Sequence, residues 1–258
     1  MSARSILSAT ITFGLVSVPV KVYTAASPES VSFNMLTPGG SRVKQHYTDA
    51  VTGAPVEQRD CHKGYEIAKD QYVSFTADEI KALEAEKDKC INILEFVDAS
   101  SIDLIQVEKS YYLGPDKGGD RGYLLLSETM KGMGKVAVAQ WAARGKEQLV
   151  VVRPYKGGLI VHQMFYAAEV RDFDEVACKP IAISDAEREM ASLLINALTT
   201  GAFEPSKYED GYVKRVQAAV DRKVAGVVAP AVKEAPAPQI VDLLAALKAS
   251  IEQAKPKK

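Results

Sequence analysis

Three histidines (His46, His62, His162) and three cysteines (Cys61, Cys90, Cys178) are the residues best suited to bind a soft metal or act as nucleophiles. Their spacing scatters them. Cys61 and His62 are adjacent, and chain neighbours do not readily chelate one ion unless a second pair follows, which it does not. Asp116 and Asp120 flank glycines in the basic loop Gly114-Pro-Asp-Lys-Gly-Gly-Asp120, where aspartate commonly forms turns. A pair of metal-binding acids is the competing reading of that loop. No GxSxG elbow, phosphate-binding loop or HExxH helix occurs. Bond-making chemistry is therefore the weaker reading.

The cations offer more. Arg42, Lys44, Arg59 and Lys63 sit on the two arms of a polar ribbon. Lys109, Lys117, Lys131, Lys135, Lys146 and Lys156 follow, with Arg121, Arg144 and Arg153 among them. Cations spread over loops and strand ends, with few aromatics beside them, suit phosphate contacts better than base stacking. No recognition helix or zinc finger stands out, so duplex binding without sequence readout is expected.

A formal charge of −1 over 258 residues argues against nucleic acid, but the charge is blocked. Residues 66–108 hold four basic against eleven acidic side chains, and 109–156 hold nine against four. Residues 169–210 reverse to four against ten, and 211–258 return to nine against four. Such blocks mean either a molecule with basic and acidic faces or merely solvated helix faces. With 47% hydrophobic and 25% charged residues, the chain can bury one sizeable core with room for a small appendage. No apolar run reaches a membrane span, and no basic-then-apolar leader opens the chain. An odd number of isolated cysteines fits a reducing setting, so a cytoplasmic protein is expected.

Alternation positions these groups. In Ala3–Tyr23, Ile11, Phe13 and Leu15 share one side, whereas Val16, Val18, Val20 and Val22 hold the next run. The parity slips after Gly14, as at a bulge or tight bend, and Pro19 places the second strand at an edge or near an irregularity. Polar ribbons with little core material follow at 42–47 and 56–63. Thr76-Ala-Asp-Glu79 and Ser184-Asp-Ala-Glu187 are capping boxes, each heading a helix; the second helix stops at Gly201. β character is expected at 91–96, 102–107 and 111–113, and a helix at 123–131. Three evenly spaced strands at 136–141, 148–153 and 159–165 suit a barrel or sandwich. A further helix is expected at 207–222, then a proline- and alanine-rich linker at 225–239. Ile240, Leu243, Leu244, Leu247 and Ile251 then recur at helical spacing, as in a docking helix or one that packs back on its own core.

These residues carry a resemblance. The opening segment closely resembles the start of the prokaryotic Ku family, the DNA-end-binding proteins of bacterial non-homologous end joining. Lys63-Gly-Tyr-Glu66, Tyr72-Val-Ser-Phe-Thr76, Tyr111-Tyr-Leu-Gly-Pro-Asp-Lys-Gly-Gly119, Gly134-Lys-Val-Ala-Val-Ala139 and Arg144-Gly-Lys-Glu-Gln-Leu149 continue it. Arg153-Pro154, Gly157-Gly-Leu159 and Glu169-Val-Arg-Asp172 extend it along nearly the whole chain. The resemblance implies a mixed β/α fold: a Ku-type β-barrel core, a long bridging ribbon and C-terminal helices, dimerised into a ring. It implies a core over 1–224, with the bridge near 42–66 and a helical dimerisation region near 184–224, then the linker and a docking segment at 240–258.

Two arches and two barrels would enclose double-stranded DNA ends without a cofactor or metal. Arg42, Lys44, Arg59 and Lys63 would line the bridge, and Lys109, Arg144 and Lys146 the barrel-side cradle, with Lys117 and Arg121 also binding DNA. Val241, Leu243, Leu244, Leu247 and Ile251 would engage a multidomain bacterial DNA ligase. The implied setting is the cytoplasm, at the nucleoid, without membrane association. Two other classes stay open: a metal-dependent DNA-processing enzyme using Asp116, Asp120 or His62, and a basic-faced oligomeric scaffold without end specificity.

Overall fold

The computed structural model describes residues 4–28, 31–83, 89–143, 146–176 and 180–226, with Leu247 and Ser250; for Ala143 and Lys146 the description is of the backbone alone. The chain divides into two compact units, Met1–Glu29 with Asn34–Glu175 and Ser30–Phe33 with Val176–Lys258. Within the first unit, β1 (Leu7–Phe13) turns directly into β2 (Val16–Thr24), and Phe13 faces Val16. The parity slip after Gly14 is thus a two-residue hairpin, not a bulge within one run. Gly14, at φ +57°, supplies the positive angle such a turn requires at its first position. Leu15 does not share the face of Ile11: it is fully exposed at the hairpin tip.

The chain then leaves as a ribbon. Strands β3 (Tyr47–Thr48) and β4 (Pro55–Val56) form one short pair, and β5 (Lys63–Ala68) and β6 (Gln71–Phe75) form another. No described residue between Ala25 and Leu83 is buried. Local hydrogen bonds hold the ribbon's shape: Asp49 accepts from the backbone N–H groups of Val51 and Thr52, both at 2.8 Å. The capping box is present, with Thr76 N–H and hydroxyl donating to Glu79 Oε2 at 2.8 Å and Glu79 N–H donating back to Thr76 Oγ1. It heads α1 (Ala77–Leu83).

The return builds the barrel. Strands β7 (Cys90–Asp98), β8 (Val107–Pro115), β9 (Lys135–Ala143), β10 (Lys146–Tyr155) and β11 (Gly158–Met164) join the first hairpin in the closed order β1-β2-β8-β11-β10-β9-β7. The sheet closes through a parallel pairing of β1 with β7; the other pairings are antiparallel. Alternate residues point inward: Val18, Val20 and Val22 from β2, Val150 and Val152 from β10, and Val161 from β11, all essentially sequestered from water. Each such side chain contributes about 1.5–3 kcal/mol. Trp141 and Tyr111 meet edge to face, their ring centroids 5.9 Å apart. Of the stretch 102–107 only Val107 is in a strand; two single-turn helices, at Ala99–Ser101 and Leu104–Gln106, lead into β8.

Pro19 has no edge to occupy in a closed barrel, so the irregularity is what accommodates it. Its partner Thr10 turns its N–H the other way, to Lys89 O, and the ladder with β8 stops at Val20 and Pro115. Beyond that ladder, Asp116 N–H donates to Pro19 O at 3.0 Å. Gly119 packs so closely there that a Cβ would lie 2.3 Å from Pro19 O. This contact starts α2 (Asp120–Met133), longer than the sequence indicates because Gly132 stays helical and Gly134 forms the left-handed cap. Tyr123, Leu126, Ser127 and Met130 form its buried stripe. Tyr123 Oη donates to Leu113 O at 2.5 Å and accepts from Leu159 N–H at 2.7 Å, fastening the helix across β8 and β11.

In the second unit, the Ser184–Glu187 capping box heads α3 (Asp185–Leu198), which ends at Thr199 rather than at Gly201. A fourth helix, α4 (Gly211–Val224), begins four residues later than expected, since Pro205–Lys207 forms a separate turn and Asp210 caps the helix by accepting from Tyr212 N–H. Neither helix buries a residue, and Leu193, Ile195, Leu198 and Tyr212 are more than half exposed. No helix among the described residues is long and apolar enough to cross a membrane.

Candidate nucleic-acid interface

The ribbon presents its four cations in an extended, uncored segment. Arg42 stands at the bridge to Leu36 and donates to Asn34 Oδ1 at 2.8 Å. Lys44 follows, and Lys63 opens β5 opposite Phe75. Among the described residues neither lysine forms an ion pair. Arg59 makes only a 3.9 Å contact with its neighbour Asp60, both well exposed, which contributes little in water. Ribbon cations thus keep their charge available.

The barrel cations are split between two ends. Lys109 lies near the start of β8, paired with Glu108 at 3.1 Å, in a pocket it shares with Glu147 and Glu169. The backbone of Lys146 begins β10 at that same end. Arg144 and the side chain of Lys146 lie outside the described residues, as do Val241, Leu243, Leu244 and Ile251; Leu247 is helical and half-buried. Lys117 and Arg121 stand at the opposite end of β8, in the turn and first helical turn that follow it. The seven expected contacts whose side chains are described therefore form three separate groups.

Asp116 is committed to structure. Its carboxylate accepts from Lys117 N–H at 2.8 Å and Ser8 Oγ at 3.1 Å and pairs with Lys21 at 3.3 Å. The Lys117 N–H bond, aided by Ser8 and Lys21 against the opposing effect of burial, holds its carboxyl below the ordinary value. Asp120 is the first residue of α2, and His62 and His46 are exposed on the ribbon. No cluster of three potential metal-binding His, Cys, Asp or Glu residues forms among the described residues.

Arg153 and Lys156, read in the sequence only as part of a basic block, both stand beside the Tyr155 ring. Arg153 Nε donates to His162 Nε2 at 2.8 Å, and His162 Nδ1 meets Ser110 Oγ at 2.7 Å. Since Nε2 accepts, Nδ1 carries the ring proton and donates a hydrogen bond to Ser110 Oγ. Burial, and then the charge of Arg153, push the imidazole's pKa down. The hydrogen-bonding signal was faint in sequence, resting on outward parity on β10 and β11.

Residues 12–191 match the family model described as the Ku70/Ku80 beta-barrel domain. The chain is 41% identical over 256 residues to the non-homologous end joining protein Ku of Paraburkholderia phymatum, covering 97% of this chain and 83% of that protein. The protein of the same name from Lachnoclostridium phytofermentans is 35% identical, with 95% of each chain covered. That of Archaeoglobus fulgidus is 33% identical, covering 98% of this chain and all of the relative. With a closed seven-stranded barrel interrupted by a coreless polar ribbon, and these matches along nearly its whole length, this chain belongs to the Ku family of non-homologous end joining proteins.

Proposed function

We propose that this protein binds double-stranded DNA ends as a ring-shaped homodimer, without reading sequence, and recruits a DNA ligase to the break rather than catalysing a reaction itself. The carrying observation is the ribbon: the described residues of this Ku-family chain between Ala25 and Leu83 hold no buried side chain, and Lys44 and Lys63 stand without a counter-ion among the described residues. Such a segment gains from a partner that supplies both anions and packing. DNA threaded through a ring of two ribbons and two barrels does both. Threading over a terminus makes end specificity topological, and phosphate contacts make binding salt-dependent and permit sliding. The exposed apolar side chains of α3 and α4 support dimerisation through the region near 184–224.

The barrel-side contacts assigned to Lys109, Lys117, Arg121, Arg144 and Lys146 belong to the same reading. So does the tethered segment beyond the 225–239 linker, where Val241, Leu243, Leu244, Leu247 and Ile251 would dock the ligase. The protein would act in the cytoplasm, at the nucleoid. Charge reversal of Lys44 and Lys63 to glutamate tests the bridge. Weakened end binding with intact dimerisation is expected; unchanged binding by a folded double variant would remove these residues from the interface.

A further inference from the structure

The hairpin joining β10 to β11 turns through Lys156 and Gly157, both at positive φ, +48° and +82°. A two-residue turn of this kind favours asparagine or aspartate before the glycine. Lysine there is uncommon, and an uncommon backbone state held by its surroundings is a pointer to use. The turn places Lys156 Nζ 5.3 Å from the centre of the Tyr155 ring, and Arg153 Cζ lies 5.3 Å from the same centre. Tyr112 from β8 stacks beside that ring at 5.9 Å, nearly parallel.

Two cations thus share one aromatic ring, and among the described residues neither has an acidic ion-pair partner. Two positive charges beside one ring, neither answered by an acid, favour an anion bound there. Arg153 is also prevented from swinging away, because the Ser110–His162 pair holds its Nε. With Nε2 accepting from Arg153, the imidazole is neutral and the guanidinium's charge is undiminished. Such pre-orientation lowers the ordering cost of binding.

We propose that Arg153 and Lys156 form a phosphate clamp on the outer barrel face, with Tyr155 as its floor and His162 and Ser110 as positioning residues. This deepens the DNA reading and rests on it: the phosphate is that of the duplex backbone, contacted without regard to sequence. The clamp explains an ordered arginine that neither fills the core nor answers an acid.

The test measures affinity of the full chain for a short blunt duplex across a salt series, with closed circular duplex as competitor. Arg153→Gln and Lys156→Gln should each flatten the log-affinity against log-salt slope by about 0.9, with affinity down on the order of tenfold. His162→Phe, which changes no charge on the clamp, should weaken binding by a smaller factor at nearly the wild-type slope, and His162→Gln should restore part of it. A folded Arg153→Gln/Lys156→Gln protein with wild-type affinity and slope overturns the clamp while leaving end binding intact. A flattened slope in a protein whose wild-type form ignores ends upholds the clamp and removes the ring. If inorganic tripolyphosphate binds the wild type but not the double variant, while both bind duplex equally, the site takes free polyphosphate and the assignment to DNA fails.

Discussion

The barrel and the ribbon are built from the same kinds of strand, yet only one of them has an interior. β2 alternates so that Val18, Val20 and Val22 vanish into the core, whereas β5 and β6 bury nothing on either face. Apolar burial stabilises the barrel; turns, an Asx hydrogen-bond motif at Asp49 and a capping box shape the ribbon. The contrast teaches where to look for a partner. A region that completes itself needs none, and a region that stays open over its whole length gains most from one.

Substitutions can break or sharpen that contrast. Trp141→Ala, in the core against Tyr111, should cost about 3–5 kcal/mol and lower the thermal midpoint sharply, whereas Tyr65→Ala on the ribbon should stay within about 0.5 kcal/mol. Equal losses in calorimetry would mean that the ribbon is an integral part of the fold. Tyr123→Phe comes next. It leaves Leu113 O and Leu159 N–H short of a buried partner, for about 1–3 kcal/mol in denaturant unfolding. A neutral result would mean that water replaces the hydroxyl.

Hydrogen exchange sharpens the difference without mutation. Amides of β5 and β6 should exchange quickly in free protein and slow on adding duplex, while those of β10 stay protected throughout. Ribbon amides indifferent to DNA would contradict the bridge. The smallest effect concerns acid. Asp116 titrates lower in the folded chain than its ordinary value of 3.8, so its contribution is present above that value and is lost as pH falls through the lower folded one. Asp116→Asn should therefore flatten the acid end of the stability profile. Asp49→Asn, removing a carboxylate likewise shifted down by its backbone bonds to Thr52 and Val51, should leave global unfolding unchanged because the ribbon opens by itself.

Much of this was legible in the residues. Both capping boxes, the three even strands from β9 to β11 and the coreless ribbon follow from local pattern, which acts over a few neighbours. What escaped reading depends on register between distant strands. Ser110, Arg153 and His162 stand on three strands, and only the pairing of β8, β11 and β10 brings them together. Lys109 and Lys117 look like one cluster in sequence, but extended β8 carries them to opposite ends. The sequence left Gly14 open between a bulge and a tight bend because both shift the apolar parity by one, and only the pairing of Phe13 with Val16 separates them.

The ring is tested most directly by competition for purified protein between equal masses of linear and covalently closed circular duplex, across a salt series. A threaded homodimer predicts that circles fail to displace linear DNA at any salt where binding persists. Displacement by circles as effective as by linear DNA would contradict end threading and leave only a basic surface.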